Sequence, residues 1–325
     1  MLRSRGGDGG CKWSAPVISA TLTDPSLDCR EREGDRGSQP QASRKVRARH
    51  RARAAADHLY RCQLCAHRCG VNRVAGELGP CRAGVETRVF HAQTEVSDEH
   101  ELTPVFAVAF SGCDLRCDFC NTGRESWNPR AGEYIPPQGA CGSPLDALAI
   151  RACTALGSGA RSVMLLGGEP TIHLPTALEF ASRLPDHARL VWKTNAHATA
   201  EARELLDGIF EAWVADYKFG NDSCAQRLAR VANYSAIVQE NLRWAHQHTD
   251  LIVRHLLMPG HVDCCWKPIA EWLASELPGV KVSLRFGFWP GWFSSRHAEL
   301  KNTTSRADET AALQFARQLE LKLIS

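Results

Sequence analysis

Cys113, Cys117 and Cys120 stand in a C-x3-C-x2-C array inside Phe110-Ser-Gly-Cys-Asp-Leu-Arg-Cys-Asp-Phe-Cys-Asn121. Cysteine thiolates are the usual ligands of iron–sulfur cubes, and this loop follows an apolar run, Val105–Phe110. A [4Fe-4S] cube held by three thiolates keeps one iron without a protein ligand, and that open position is where chemistry can occur. The same triplet with a remote fourth ligand would instead make a zinc knuckle or a closed structural cluster.

A second constellation precedes it. Cys62, Cys65, Cys69 and Cys81 form C-x2-C-x3-C-x11-C on a turn-rich segment. Four thiolates close the coordination of one zinc or of a second cluster, and spacing does not choose between them. His67 can replace one thiolate if zinc is the occupant. A closed site points to a structural or electron-relay role.

The elements that must position these groups follow from periodicity. Six short apolar runs are Val105–Phe110, Ser162–Leu166, Leu190–Lys193, Ala212–Tyr217, Leu251–Leu257 and Lys281–Phe286. Helical patterns lie between and after them. The first opens on Ser143 as N-cap with Pro144 at the first helical position. The others cover Leu174–Leu184, Ala200–Leu206, Ser223–Val231, Ser235–His246, Lys267–Leu277 and Ala307–Leu319. Strands alternating with helices predict an α/β fold of parallel β/α units, a partial (β/α)6 barrel. Functional residues of such barrels sit at the C-terminal ends of the strands. Polar text falls there: Leu166-Gly-Gly-Glu-Pro170, Lys193-Thr-Asn195, Asp216-Tyr-Lys218 and Arg254-His-Leu-Leu-Met-Pro-Gly-His261. Paired glycines let backbone approach a ligand closely, and Lys218 or Arg254 can meet a carboxylate or a ribose-side acceptor.

The organisation predicted is a disordered basic leader over 1–54, a Cys-rich metal-binding module over 55–100, the barrel over 101–295, and a C-terminal helix and tail over 296–325. The net charge is +3, and the first 57 residues carry 12 Lys/Arg against 7 Asp/Glu, so the positive excess lies in the leader. The remainder has no nucleic-acid footprint. No apolar run is long enough for a membrane span, and no secretory signal pattern is seen, so a cytoplasmic location is expected. Without such a signal, 14 Cys in 325 residues point to metal or redox chemistry before disulfides. Cys11 and Cys29 have no partners at ligand spacing. Cys141, Cys153 and Cys224 read as packing residues. Adjacent Cys264 and Cys265 read as buried thiols, since neighbouring side chains diverge. The aromatic stretch Phe286–Phe293 is a wall of the barrel mouth, a docking patch or ordinary core.

The motifs carry a resemblance. C-x3-C-x2-C with Phe119 before its last cysteine resembles the radical S-adenosylmethionine (radical SAM) signature. Read with C-x-L-C-x3-C-G-V-N-R, L-G-G-E-P, K-T-N, D-Y-K-F-G-N-D and R-H-L-L-M-P-G-H, the span from Cys62 to Pro290 is similar to iron–sulfur proteins related to the pyruvate formate-lyase activating enzyme. The resemblance implies a partial-barrel fold and a catalytic [4Fe-4S] cluster on Cys113, Cys117 and Cys120. It implies a SAM site lined by Phe119, Gly167, Gly168, Glu169, Asn195, Asp216, Lys218 and Arg254, with the GGEP element on the SAM amino group. It further implies reductive cleavage of SAM to a 5′-deoxyadenosyl radical and abstraction of hydrogen from a protein or small molecule. An electron donor of the flavodoxin or ferredoxin class, and a glycyl-radical enzyme as protein substrate, are the implied partners. Methyl transfer or peptide modification, and a non-catalytic metal-binding adaptor, are the alternatives. The chain departs from the activating enzymes in its four-cysteine module, in Phe288-Trp289 where they carry a histidine, and in Asn121-Thr122 after the last cysteine of the triplet.

Overall fold

The computed structural model describes residues 43–96, 99–136 and 143–324. In chain order the elements are α1 (Arg44–Asp57), β1 (Thr87–Glu95), β2 (Val105–Phe110), α2 (Arg124–Trp127), β3 (Glu133–Ile135), α3 (Pro144–Gly157), β4 (Ser162–Gly167), α4 (Leu174–Ala181) and β5 (Leu190–Thr194). Then come α5 (Ala200–Glu204), β6 (Ala212–Asp216), α6 (Asp222–Ala229), α7 (Tyr234–His248), β7 (Asp250–Leu256), α8 (Lys267–Glu276), β8 (Lys281–Arg285), α9 (Arg306–Gln318) and β9 (Lys322–Leu323).

The strands form one nine-stranded sheet in the order β3-β1-β2-β4-β5-β6-β7-β8-β9. From β2 through β9 every pairing is parallel. All six apolar runs read from the sequence are strands of this parallel set, joined by helical crossovers as parallel pairing requires. The fold is α/β with a mostly parallel sheet.

Both faces of the sheet are covered, so β2 (Val-Phe-Ala-Val-Ala-Phe) is buried at all six positions. Alternation still sorts its side chains. One set of alternate residues, Val105, Ala107, Met164, Val191, Ala212, Val214 and Ile252, makes a small-residue core on one face. The opposite face carries Phe106, Phe110, Trp192 and Trp213 against the helices. Trp192 packs at a tilt on Phe210 at 4.8 Å and Trp213 on Trp244 at 5.4 Å between ring centres. Helix α3 starts where the sequence places it: Ser143 Oγ accepts from Asp146 N–H at 3.3 Å, the Asp146 carboxylate accepts from Ser143 N–H at 3.2 Å, and Pro144 opens the helix.

Three boundaries differ from the sequence reading. Residues 44–54, expected in the leader, form most of α1. Its buried side, Arg44, Ala48, Ala52 and Ala55, repeats at helical spacing, and the alanines let it lie close on α4. Arg44 Nη2 donates to the Pro185 carbonyl, which explains how a basic helix starts inside the body. The remainder of the leader, with Cys11 and Cys29, lies outside the described residues, as does Cys141. Second, β1 falls within the span expected for the Cys-rich module but is the antiparallel neighbour of β2. Third, the C-terminal tail returns to the sheet as β9, parallel to β8. Among the described residues no helix is long and apolar enough to cross a membrane, and the described cysteines are free thiols.

Two buried histidines give the fold an acid dependence. His173 and His255 bond the carbonyls of Ser111 and Tyr217 at 2.7 Å, and burial lowers both from 6.5 to about 4. As pH falls through 6.5 the unfolded chain takes up these protons first, so stability is lost from there down to pH 4 and the loss then levels off. Each histidine accounts for about 3 kcal/mol of that loss. Between pH 6.5 and 4 the urea midpoint of His255→Gln should fall less than that of the wild type, by the equivalent of about 3 kcal/mol. The same pH dependence in variant and wild type would contradict the assignment.

Candidate functional site

The alternation that builds the small-residue core continues toward the strand C-termini, where it becomes polar. Lys193 follows Val191, Asp216 follows Val214, and Arg254 follows Ile252, each two residues on and so on the same face. Adjacent strands hold them in register, with Asp216 opposite Arg254 and Arg254 opposite Ser283. Above this layer opens a cavity of about 280 Å3.

Cys113, Cys117 and Cys120 all line that cavity, as do Phe119, Gly167, Gly168, Asn195, Asp216, Lys218 and Arg254. The structure therefore brings together every expected site residue of the barrel except one. Glu169 is turned away from the opening and is 1% exposed. Its carboxylate accepts from Thr171 N–H at 3.0 Å, Thr171 Oγ1 at 2.5 Å, Thr194 Oγ1 at 2.8 Å and Asn195 N–H at 2.8 Å. Burial and the neighbouring Asp114 raise Glu169 to about 7 against the pull of those bonds. The side chain expected to receive a ligand ammonium is thus spent on fixing the ends of β4 and β5.

The paired glycines also act differently from expectation. Gly168 N–H donates to the Phe110 carbonyl at 2.8 Å and Glu169 N–H to the Gly112 carbonyl at 2.9 Å. A Cβ on Gly168 would stand 1.9 Å from the Gly112 oxygen, and one on Gly167, where φ is +129°, would stand 2.3 Å from the Phe110 oxygen. What the glycines admit is the backbone of the cysteine loop.

That loop is held from all sides. Asp114 is buried and accepts from Asn195 Nδ2 at 2.8 Å and pairs with His197 Nδ1 at 2.7 Å. Burial drives Asp114 upward, but His197 and Asn195 bring it below the ordinary carboxylate range. Asp118 is 1% exposed and meets Arg230 at 2.9 Å, Arg296 at 3.2 Å and His297 at 2.8 Å. Arg230 Nη1 also donates to the Arg116 carbonyl at 2.6 Å. Phe119 packs edge-on to Phe219 at 5.9 Å and against Phe288 at 6.2 Å. Of the aromatic stretch, then, Phe288 and Phe293 pack on the cysteine loop, the latter through Trp127 at 5.2 Å, while Trp289 is exposed.

Beneath the cavity lies a group the sequence did not announce. Glu99, in the link that joins β1 to β2, is fully buried, 3.2 Å from Arg254 Nη1, 3.7 Å from Lys193 Nζ and 3.2 Å from Ser283 Oγ. Lys218 pairs with Asp216 at 2.5 Å. Burial disfavours the charge on Lys218, yet Asp216 and Cys117 hold it above the usual lysine range. Asp114 and Asp118 stand inside the cysteine motif but carry no assigned role of their own there, and no motif marks His197 or Glu99. For the two aspartates the signal is the density of charge inside D-L-R-C-D, between the ligands of the triplet.

The cysteine quartet lies beside the triplet loop. Cys62, Cys65 and Cys81 are buried and Cys69 is half-buried. Cys65 bridges Ala198, Arg116 Nη2 donates to the Pro80 carbonyl at 2.8 Å, and Arg73 Nη2 to Cys81 Sγ at 3.6 Å. His67 is turned to the Asp114 carbonyl at 3.0 Å and rests on His197. Among the described residues, two groups gather three or more ligand atoms within 4.8 Å of one another: His67, Asp114 and His197, and Cys224, His261, Cys264 and Cys265. Neither the triplet nor the quartet is gathered that tightly. A single zinc bound by thiolates sets sulfurs about 3.8 Å apart, whereas a cube with an iron at each corner needs them wider. The donor set of the triplet, soft thiols around an enclosed space with an amide, Asn195 Nδ2, 3.7 Å from Cys113 Sγ, fits an iron–sulfur cluster.

Comparison with known proteins bears on the family. The sequence profile described as the radical SAM superfamily matches residues 108–273. An uncharacterized protein of Methanocaldococcus jannaschii is 30% identical over 269 residues, covering 81% of this chain and 76% of its own length. Among solved structures, Streptococcus suis SuiB bound to precursor peptide SuiA aligns at 14% identity and a TM-score of 0.49, over 65% of this chain. This chain spans 46% of the length of SuiB. A domain of the pyruvate-formate lyase-activating enzyme from Bacteroides vulgatus aligns at 20% identity and a TM-score of 0.41, over 50% of this chain and 97% of that domain.

The contact between the two loops is open to test. Gly168→Ala must displace backbone and not a flexible side chain, at a cost of about 3 kcal/mol. Its urea midpoint should drop accordingly, and reconstituted protein should lose most of the iron held by the triplet. Wild-type stability with full iron content would show that the close approach is not required.

Proposed function

The chain belongs to the radical SAM superfamily, and on that premise we propose that Cys113, Cys117 and Cys120 hold a [4Fe-4S] cluster at which SAM is cleaved reductively, with hydrogen then taken from a substrate. The observation that carries this reading is the convergence of three thiols and four polar strand ends on one cavity. When bound, the cluster supplies one electron to the sulfonium and an iron position open to the amino and carboxylate groups of SAM.

The chain's own residues do the positioning. The turn at Gly167 and Gly168 and the amide of Asn195 border the side of the cavity next to Cys113 and suit the amino acid end of SAM. Lys218 and Arg254 stand on the opposite strands, where Asp216 and Glu99 fix their direction, and suit a carboxylate or the ribose hydroxyls. Leu115, Leu166 and Leu256 give the cavity an apolar side that keeps water from the reacting centre. Glu169 acts at one remove, by holding Asn195 and Thr194 in place. Hydrogen abstraction asks for distance and exclusion of water more than for an acid or a base.

For Cys62, Cys65, Cys69 and Cys81 we favour a second cluster over zinc, because the described sulfurs are not gathered at single-ion spacing. Contact with the triplet loop through His67 and Arg116 supports an electron-relay role, fed by a donor of the flavodoxin or ferredoxin class. Activation of a glycyl-radical enzyme is supported by the shared sequence motifs alone.

Anaerobic, reconstituted protein given dithionite and SAM should release 5′-deoxyadenosine and carry about eight irons per chain. Cys113→Ala should abolish the release and halve the iron. Release that survives this substitution would overturn the mechanism, and about four irons in the wild type would remove the second cluster.

A further inference from the structure

Four side chains outside the cavity, Cys224, His261, Cys264 and Cys265, converge on one point. Cys224 Sγ lies 3.9 Å from Cys264 Sγ and 3.8 Å from His261 Nδ1. His261 Nδ1 is 3.2 Å from Cys264 Sγ and 3.3 Å from Cys265 Sγ, and the two adjacent sulfurs are 3.9 Å apart. Zinc bonds of about 2.3 Å to sulfur and 2.0–2.1 Å to nitrogen give tetrahedral edges of about 3.8 Å between sulfurs and 3.5 Å between sulfur and nitrogen. The contacts match that tetrahedron. All four ligand atoms lie within 4.8 Å of one another, which admits one ion and leaves no room for a cube.

Neighbouring thiols were expected to diverge. They do not, because Val262–Trp266 is a π-turn, closed by Trp266 N–H to the His261 carbonyl at 3.1 Å. A wider turn reduces the angle between successive side chains, and such turns recur at functional sites. The surroundings are those of a ligand set. His261 is 2% exposed, Cys265 is fully buried and Cys224 is 7% exposed. Asn221 Nδ2 donates to Cys224 Sγ at 3.4 Å and to the Cys264 carbonyl at 2.6 Å. The other ring nitrogen of His261 faces the Glu299 carboxylate at 3.8 Å, the outer partner that metal-bound histidines usually have.

We propose that Cys224, His261, Cys264 and Cys265 form a closed Cys3His zinc site that clamps the loops following β6 and β7. Four protein ligands leave no open position, so its role is structural. Binding exchanges three thiol protons for the ion, with no change of oxidation state. The clamp lies where it can matter to the cavity. The loop after β6 runs from Asp216 and Lys218 to Asn221 and Cys224, and the loop after β7 runs from Arg254 to His261. At Gly220 these loops touch so closely that a Cβ would stand 2.3 Å from the Cys265 carbonyl oxygen. The site therefore sets the distance between the two strand ends that carry Lys218 and Arg254. It does not depend on SAM chemistry, since none of its four residues lines the cavity.

Metal analysis and zinc-edge X-ray absorption on the full chain, purified anaerobically, test the proposal. About one zinc per chain should be found, with a shell of three sulfurs near 2.3 Å and one nitrogen near 2.0–2.1 Å. Cys264→Ser with Cys265→Ser should lower zinc at least tenfold while leaving the iron count unchanged. His261→Cys, which preserves a tetrahedral set, should keep the zinc and convert the shell to four sulfurs, a readout that does not depend on the double variant folding. Wild-type protein without zinc, a four-sulfur shell in the wild type, or zinc unaffected by the double substitution would each overturn the site.

Discussion

A single buried carboxylate ties together the strand ends on which the cavity depends. Glu169 follows β4, yet its four hydrogen bonds reach Thr171 in the next turn and Thr194 and Asn195 at the end of β5. Asn195 passes the constraint on to Asp114, which sits between the first two ligands of the cysteine triplet. Every group that Glu169 meets is a donor, so these bonds favour the ionised form against the burial and the Asp114 charge that raise it. A buried carboxylate stripped of such donors would cost several kcal/mol, so the network fixes one arrangement of the loops and penalises others. The paired glycines serve the same end by letting two backbones close to hydrogen-bonding distance.

The second constraint is the parity of the strands. Small apolar residues fill the lower half of the inner face, and the same alternation delivers Lys193, Asp216 and Arg254 to its upper half. Charges this deep need partners, and Glu99 provides the carboxylate from outside the barrel proper. The result is a pocket with a sulfur side, a cationic side and an apolar side. That division suits a ligand whose amino acid end, sulfonium and nucleoside must each be held differently. The zinc clamp proposed behind β6 and β7 would act on the cationic side alone.

Much of this was legible in the sequence because the signals were local. Each of the six parallel strands is a compact apolar run, and a parallel strand covered on both faces must be one. The triplet, the glycines and the polar strand ends follow directly in the text, so barrel geometry placed them at one mouth. What stayed hidden depends on contacts distant along the chain. Strand β1 mixes polar and apolar residues because part of it is exposed, so it carried no strand signature. Helix α1 is basic, and only its alanine spacing, read against α4, shows a buried side. Glu169 looked like a ligand-binding carboxylate because nothing in the sequence says which way a side chain turns after a glycine pair. Cys224 is forty residues from Cys264, and the rule that adjacent thiols diverge holds for ordinary helices but not for the π-turn that carries Cys264 and Cys265.

The central claim is that the triplet leaves one cluster iron open to SAM. Electron–nuclear double resonance on the reduced cluster, with SAM carrying nitrogen-15 in its amino group, addresses it without relying on turnover. The account predicts a nitrogen hyperfine coupling of the size expected for direct iron ligation, present in the wild type and absent from Cys117→Ala. A cluster spectrum that saturating SAM leaves unchanged would contradict it.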